Sequence, residues 1–404
     1  MGFEQGLSGL NAASKNLDVV GNNVANANTV GFKESQAQFA DVYANSLSGG
    51  GASQVGIGTK VAQIAQQFTQ GNITASNNPL DVAINGGGFF RMSNNGTVSY
   101  ARNGQFQLDK AGYIVNATGS RLTGYGVNAS GVLATGAPTD LNINTADLTP
   151  KTTTKVNTLL NLDSGSAVPV TTPFNMADPT TYNSSTAVSV YDSLGNAHTL
   201  QTFYVKTAAN TWDVYAANDG VALVPSKIGT LAFGTDGSLT SGGPFTVPVP
   251  VSTGAATPFP VSVDYTGTSQ YGSSFSVNGL KQDGYTSGRL SGFNISADGT
   301  IVGRYTNGQS ATLGQVVLAN FTDPNGLQPL GNNLWAETAT SGPALVGTPN
   351  SGSLGVLQSS AVEDSNVDLT AELVNMITAQ RNYQANAQTI KTQDQVMQTL
   401  VNLR

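Results

Sequence analysis

The chain has 404 residues, enough for a sizeable core and for two or three domains of about 150 residues each. Only 10% of its residues are charged, against about 25% in an ordinary soluble domain, and its net charge is −7. This weakly charged, acidic composition excludes a nucleic-acid binder, which needs a basic surface, and the absence of cysteine excludes disulfides, thiolate catalysis and cysteine zinc sites.

The amino-terminal segment predicts a helix with one apolar face. Its apolar residues follow alternating steps of four and three, which is the a/d spacing of a coiled coil. The residues predicted to pack against another helix are Phe3, Leu7, Leu10, Leu17 and Val24, with the small residues Ser14 and Gly21 at the two intervening positions. The segment lacks a basic region and a continuous apolar stretch, so no cleavable signal peptide is predicted. No apolar run approaches the roughly 20 residues that span a bilayer, so no membrane insertion is expected.

The next segment, from Ala27 to Leu47, carries a second helical pattern. Its apolar residues recur on one side of the predicted helix: Phe32, Phe39, Val42, Tyr43 and Leu47. A glycine-rich run at residues 48–53 then predicts a flexible connection. From Val61 to Phe68 the pattern leaves helix and strand open.

Residues from about Gly71 to Ala361 predict β structure. Short apolar runs alternate with Asn-Gly and Asp-Gly pairs, which favour tight turns between antiparallel strands. The clearest hairpin is the segment from Val188 to Lys206. A stretch rich in Thr, Pro and Asn, from Pro138 to Thr181, suggests a domain boundary, and the prolines from Pro244 to Pro260 suggest an edge or linker in the second β unit.

The carboxyl-terminal segment, from Asn366 to Arg404, predicts a long helix without Pro or Gly, with Asp368 placed to cap its start. Apolar residues recur every seven positions, and a second seven-residue series, offset from the first by four residues, adds further packing positions. The predicted packing residues are Leu369, Leu373, Met376, Tyr383, Ile390, Met397 and Val401. The other faces carry Asn and Gln rather than Lys and Glu, which suits contact with identical subunits. An intramolecular helical hairpin is an open alternative.

No pattern in the chain predicts a catalytic, cofactor-binding or metal site. His198, the only histidine, lies in a predicted strand and is interpreted as a packed side chain. The triplet Gly86–Gly88 lacks the Gly-Lys-Ser/Thr of a phosphate-binding loop and is interpreted as a tight turn. The carboxylates show no spacing for a paired acid and base, and the Asp-Gly pairs lack the alternating ligands of a calcium loop. The sequence therefore predicts a protein that is not an enzyme.

Two long motifs stand at opposite ends of the chain. They are LSGLNAASKNLDVVGNNVANANTVGFKESQAQFAD, residues 7–41, and EDSNVDLTAELVNMITAQRNYQANAQTIKTQDQVMQTLVNLR, residues 363–404. Both closely resemble the terminal signatures of the flagellar rod, hook and hook-associated protein family. Residues 77–90 and 100–126 are similar to the inner β domain shared by rod and hook proteins. VYDSLGNAHTLQTFYVK, residues 190–206, is similar to an additional domain of hook proteins and favours the hook branch.

The resemblance implies a mixed, nested fold. It consists of a discontinuous N- and C-terminal α-helical coiled-coil domain plus two mainly antiparallel β domains, one inside the other. The expected boundaries are 1–70 and 358–404 for the helical domain, 71–145 and 285–357 for the inner β domain, and 146–284 for the inserted outer β domain.

For function, the resemblance implies a structural subunit of the flagellar hook, which polymerises into a curved flexible tube and acts as a universal joint between rod and filament. The implied partners are further copies of the chain, rod, hook-cap and hook-filament junction proteins, and the flagellar type III export apparatus. No nucleic acid, membrane or cofactor is implied. Export through that apparatus places such a protein outside the cell without a cleaved signal peptide.

Two alternatives are carried forward. The first is the distal rod protein of the same family, which resembles the chain at both ends but would lack the inserted domain around Val190. The second is a secreted β-rich glycan-binding protein, which needs clustered aromatic residues or paired carboxylates. Neither feature is visible in the sequence, so the hook interpretation is preferred.

Overall fold

The structure is a computed structural model that describes residues 2–42, 56–128 and 131–402. The chain forms two compact units. The first holds Met1–Asn144, Gly292–Gly303 and Ser310–Arg404, and the second holds Thr145–Ser291 and Arg304–Gln309. The predicted division into a helical, an inner β and an outer β domain stays a prediction.

The described residues form one α-helix near each end of the chain, with β-strands between them. The first part contains α1 (Gly2–Ala25), β1 (Ser35–Val42), β2 (Gly58–Gln66), β3 (Ile73–Ala75), β4 (Val82–Asn85), β5 (Phe89–Asn94), β6 (Thr97–Ala101), β7 (Gln107–Leu108), β8 (Ile114–Val115), β9 (Arg121–Gly126) and β10 (Thr139–Asp140). The middle part contains β11 (Lys155–Asp163), β12 (Ser184–Tyr191), β13 (Ala197–Ala208), β14 (Thr211–Asn218), β15 (Val221–Phe233), β16 (Leu239–Ser241), β17 (Phe245–Val249), β18 (Phe259–Asp264), β19 (Ser269–Tyr271) and β20 (Ser276–Gln282). The last part contains β21 (Leu290–Ile295), β22 (Thr300–Tyr305), β23 (Ser310–Val316), β24 (Leu318–Asn320), β25 (Gln328–Gly331), β26 (Leu334–Ala336), β27 (Leu345–Gly347), β28 (Val356–Ser359), β29 (Ala361–Glu363) and α2 (Leu369–Asn402).

The main sheet of the first unit has the strand order β21-β22-β23-β9-β5-β6-β26-β25, with shorter strands paired at its margins. An aromatic cluster lies against β5 and β6. Phe89 meets Phe321 and Trp335 edge to face at 5.8 Å each, and Tyr100 meets Phe321 at 4.8 Å. The indole Nε1 of Trp335 donates to Oε1 of Gln66 at 2.6 Å, so this core also fixes the end of β2.

The helix predicted from Ala27 to Leu47 is wrong over its described part: residues 27–34 form turns and irregular backbone, and residues 35–42 form strand β1. β1 pairs antiparallel with β2, from Ser35 opposite Gln66 to Val42 opposite Gly58. The alternating side chains of this segment suit a strand, and pairing with β2 overrides the helical spacing of its few apolar residues. The segment from Val61 to Phe68, for which the pattern left helix and strand open, belongs to strand β2 as far as Gln66. Tyr43, Leu47 and the glycine-rich run through residue 53 lie outside the described residues.

The second unit contains two five-stranded sheets. One has the order β12-β13-β14-β15-β16, and the other has β17-β18-β11-β19 with β20 also on β11. β11 runs parallel to β18 and β19, whereas the other pairs are antiparallel, as the mainly antiparallel prediction requires. The predicted hairpin is confirmed, with Tyr191 opposite Ala197. The core includes the fully buried side chains of Tyr204, Trp212 and Tyr265.

The main stretch of the second unit begins and ends side by side. The backbone N–H of Leu148 donates to the carbonyl of Gly288 at 2.7 Å, and Lys151 and Tyr285 exchange two backbone hydrogen bonds of 3.0 Å. The chain therefore reaches and leaves this stretch through one antiparallel pair.

Candidate assembly surface

Small residues of α1 bring its backbone close to α2. A Cβ at Gly6 would lie 3.0 Å from Cγ1 of Ile390, and one at Gly9 would lie 2.5 Å from Oδ1 of Asn386. A side chain at Gly9 would displace the Asn386 amide, so glycine leaves room for that amide between the two helices.

The other end of the helix pair is held by buried polar contacts. Asn23, which is 1% exposed, donates through Nδ2 to the carbonyl of Ser35 at 2.8 Å and to Oε2 of Glu372 at 3.3 Å. Its Oδ1 accepts from the backbone N–H of Ser35 at 2.9 Å. Because Gly6 meets Ile390 while Asn23 meets Glu372, the helices run antiparallel.

The start of α2 is capped as predicted. Oδ1 of Asp368 accepts from the backbone N–H groups of Thr370 at 2.9 Å and Ala371 at 3.1 Å. These bonds satisfy two of the amide groups that a helix leaves without an internal partner at its amino end.

None of the predicted packing residues is buried within the single chain. Those that are exposed are Phe3, Leu7, Leu369, Leu373, Tyr383, Met397 and Val401, and those that are half-buried are Leu10, Leu17, Val24, Met376 and Ile390. The structure brings Ile390 against Gly6, but it does not bring the predicted residues together as the interior of the α1–α2 pair. α1 instead buries a different set: Gly6, Ala12, Ala13, Val19, Val20 and Asn23. A role for the predicted residues in a polymer stays a prediction.

One face of α2 is apolar and uncovered. At about 100° per residue, Leu369, Leu373, Met376 and Ile377 lie within roughly 100° of one another around the helix. Leu369, Leu373 and Ile377 are 45%, 45% and 51% exposed. We call these four residues the α2 face.

A buried charge cluster joins distant parts of the first unit. Nζ of Lys33 donates to Oε1 of Glu363 at 2.6 Å, and Nε of Arg102 donates to Oε2 of Glu363 at 2.9 Å. The Lys33 and Glu363 side chains are 0% exposed, and that of Arg102 is 4% exposed. Burial, followed by the positive charge of Arg102, lowers the pKa of Lys33, while Glu363 opposes that change. One buried carboxylate is thus paired with two buried cations.

The tight turn predicted at Gly86–Gly88 is part of this cluster. NH1 and NH2 of Arg102 each donate to the carbonyl of Gly86 at 3.0 Å, and NH1 also donates to the carbonyl of Gly88. Gly86 and Gly88 have φ of 114° and 112°, and a Cβ at Gly86 would lie 3.0 Å from the Cα of Gly355. Only glycine combines this backbone conformation with so close an approach.

Lys33, Arg102 and Glu363 were not predicted from the sequence. One signal was available: β29 alternates, and Glu363 shares the buried phase with Ala361. A period of two would have placed this carboxylate inside the protein, where it needs a cationic partner. The identity of that partner depends on contacts across 330 and 261 residues, which local patterns do not contain.

His198 is packed in the second unit, as interpreted. Its Nδ1 lies 2.7 Å from Oδ2 of Asp219, and its Nε2 lies 3.4 Å from Oδ2 of Asp192. The same Asp192 oxygen accepts from Oγ1 of Thr253 at 2.6 Å and from Nδ2 of Asn196 at 3.0 Å. Burial acts to lower the pKa of His198, but the hydrogen bonds and charges of Asp219 and Asp192 outweigh it, so the pKa lies above 6.5. The site joins three connections between strands of the second unit.

We expect the second unit to be more stable at about pH 5.5 than at about pH 8.5. The folded-state pKa of His198 is raised, so its stabilisation is complete below the unfolded pKa of about 6.5 and is lost as pH rises through the folded value. NMR titration of this single imidazole, together with urea unfolding followed by Trp212 fluorescence in a Trp335→Phe background, measures both effects. His198→Gln should flatten the pH dependence. A folded-state imidazole pKa below 6.5 would contradict the expectation.

Residues 2–42, 56–128 and 131–402 hold neither a membrane-spanning helix nor a grouped metal-binding site. No helix in these ranges is long and apolar enough to cross a membrane. No group of three or more His, Asp or Glu side chains in them is arranged to hold a metal ion.

Four family models match parts of the chain. They are "Flagella basal body rod protein" over residues 3–33, "Flagellar hook protein FlgE/F/G D1 domain" over 83–158, "Flagellar basal body protein FlaE D2 domain" over 161–285 and "Flagellar basal body rod FlgEFG protein C-terminal" over 358–403. The rod-type matches lie at the two ends, and the hook and basal-body domain matches lie between them.

Curated relatives match over the whole length. Flagellar hook protein FlgE of Salmonella typhimurium strain LT2 is 46% identical over 411 residues, with 100% of both chains covered. The protein of the same name from Escherichia coli K12 is 45% identical over 412 residues, again with 100% of both covered. That of Rhizobium meliloti strain 1021 is 35% identical over 415 residues, with 99% of this chain and 98% of the relative covered.

A solved structure shares the fold. The crystal structure of Helicobacter pylori flagellar hook protein FlgE2 matches with a TM-score of 0.53 and 14% sequence identity. The match covers 72% of this chain and 100% of the other. At that identity the likeness concerns the fold alone.

Proposed function

The chain belongs to the flagellar hook protein FlgE family, and we propose that its copies assemble through α1 and the α2 face. It is a structural subunit of the bacterial flagellar hook, from a family of structural proteins rather than enzymes. The observation that carries the proposed contact is the uncovered α2 face, which is apolar in a chain with only 10% charged residues.

The energetics favour burial of the α2 face between copies. Apolar area removed from water contributes about 25 cal/mol per Å², so four large side chains per contact give a substantial gain. Met397 and Val401, on the Met376 side of the helix, continue the exposed apolar surface toward the end of α2. The amide side chains beside them can hydrogen-bond to a neighbour without the cost of desolvating a charge. The alternative of a closed intramolecular hairpin would leave this surface in water.

We propose the nested arrangement for the chain within the polymer. The helical domain, residues 1–70 and 358–404, would form the inner tube, with the β domains outside it. The antiparallel pair that begins and ends the main stretch of the second unit supports an insertion. Small sliding shifts between outer domains would let a curved tube rotate about its own axis and transmit torque as a universal joint.

We further propose the partners and the route. Rod, hook-cap and hook-filament junction proteins would contact the ends of the polymer. The flagellar type III export apparatus would carry the chain out of the cell without a cleaved signal peptide. The rod-type family matches at both chain ends support contact with related axial subunits.

Leu373→Asp tests the proposed contact, with Thr378→Asp as the matched control. Both residues are exposed on α2, but Thr378 lies away from the α2 face. Because Leu373 is 45% exposed in the single chain, we expect both variants to fold, with a stability within about 1 kcal/mol of the wild type. Leu373→Asp would place a charge without a partner in the subunit contact, which costs several kcal/mol if the contact is dry.

Electron microscopy and sedimentation of purified protein measure the outcome. We expect tubes from the wild type and from Thr378→Asp, and none from Leu373→Asp. Normal tubes from Leu373→Asp would show that the α2 face is not a subunit contact.

A further inference from the structure

The segment that leads into α2, residues 356–366, completes two small sheets. β28 pairs with β4, where Val356 lies opposite Asn85, and β29 pairs with β3, where Glu363 lies opposite Ile73. Each pair forms a separate two-stranded sheet. Within the described residues, β3 and β4 therefore have no strand partner other than this segment.

The same segment holds the residues that follow α1. The backbone N–H of Gly31 donates to the carbonyl of Glu363 at 2.8 Å. The backbone N–H of Glu34 donates to Oδ1 of Asn366 at 2.7 Å, and Nδ2 of Asn366 donates to the carbonyl of Gln67 at 2.8 Å. This short segment thus bonds to the residues just before β1 and just after β2.

The buried charges make this docking depend on Glu363. Without that carboxylate, Lys33 and Arg102 would be two cations enclosed in one site, and neither side chain is more than 4% exposed. Removing one partner of a buried ion pair is strongly destabilising because the remaining charge stays out of water. Removing Glu363 would therefore weaken the attachment of residues 31–34 to the first unit, whereas Ser35 would stay paired with Gln66 of β2.

The order of these residues in the chain has a consequence. Glu363 follows Lys33 by 330 residues and Arg102 by 261, and a chain is made from its amino end. We propose that β3, β4, Lys33 and Arg102 form a binding slot for an extended acidic peptide, which is the chain's own segment 356–366. Residues 31–34 reach their full set of contacts with the first unit only when that segment arrives. The first unit can therefore finish folding only in a chain that extends through residue 366.

The test uses the full chain, cut after folding. A protease recognition sequence is inserted after Gly352, an exposed turn residue with φ of 57° whose Cβ would meet nothing within 4 Å. Cleavage leaves the fragment from residue 353 to 404 bound without a covalent link. Glu363→Gln, which keeps the side-chain shape, is compared with Asp394→Asn, which removes an exposed carboxylate from the same fragment.

We expect the Glu363→Gln fragment to dissociate with a constant at least about 100-fold weaker than that of Asp394→Asn. In the uncut unassembled chain, amide hydrogen exchange of residues 31–34 should be at least about tenfold faster in Glu363→Gln than in Asp394→Asn. If Glu363→Gln prevents the segment from docking even before the cut, the amides of residues 31–34 are unprotected in the uncut chain, which supports the proposal.

Two results would overturn the proposal. One is fragment affinity in Glu363→Gln within about threefold of the Asp394→Asn control. The other is unchanged protection of residues 31–34 after the wild-type fragment has been removed by gel filtration. Neither measurement involves polymer, so failure here is separate from failure of the α2-face contact.

Discussion

Trp212→Ala will destabilise the second unit by about 3–5 kcal/mol. Trp212 is 1% exposed and lies in the core with Tyr204 and Leu231, so its removal leaves a large cavity. Its Nε1 also donates to Oε1 of Gln270 at 3.0 Å, and that amide, 5% exposed, would lose this partner. Both effects act in the same direction.

Urea unfolding followed by circular dichroism measures the loss, and Trp335, the one tryptophan left, reports separately on the first unit. We expect the Trp335 transition to be unchanged. Tyr271→Ala is the aromatic control, because Tyr271 is 55% exposed on the same unit, and it should cost less than about 1 kcal/mol. Equal effects of the two substitutions would contradict the assignment of Trp212 to the core.

Gly104→Ala will destabilise the first unit by about 3 kcal/mol, the upper end of the usual cost of overpacking. A Cβ at Gly104 would overlap the carbonyl oxygen of Val82 and lie 2.9 Å from Cε2 of Phe90. The carbonyl belongs to the backbone, and the N–H of Val82 is bonded to the carbonyl of Gly104 at 2.9 Å, so the methyl group cannot be accommodated by a side-chain rotation.

Gly126→Ala is the matched control, since a Cβ there meets nothing within 4 Å. It should leave the first unit within about 0.5 kcal/mol of the wild type. Trp335 fluorescence during urea unfolding, in a Trp212→Phe background, compares the two. A loss in Gly104→Ala no larger than in Gly126→Ala would show that β4 yields to the added methyl group.

Local patterns predicted the parts of the fold that depend on neighbouring residues. The helix at each end, the Asp368 cap and the Val188–Lys206 hairpin all follow from spacing, capping and turn chemistry within a few residues. The packing of His198 also followed, because a lone strand histidine has few other roles.

Long-range contacts decided what local patterns could not. The segment at residues 35–42 became a strand because β2 pairs with it. The α1–α2 contact uses Gly6 and Gly9 because close approach favours residues without side chains, whereas the spacing of large apolar residues predicted a different contact. The Lys33–Arg102–Glu363 cluster requires three distant segments to meet, and no single one of them is distinctive.

The α2 face has a thermal consequence. Burial of apolar area is driven mainly by entropy near 25 °C and lowers the heat capacity, so its contribution weakens on cooling. The four residues of the α2 face, Leu369, Leu373, Met376 and Ile377, carry no charge. Salt bridges therefore do not contribute to a contact that these residues make. A polymer held by this surface would therefore lose subunits on cooling rather than on modest changes in salt. Cold dissociation would follow from the same exposed side chains that make the single chain ready to assemble.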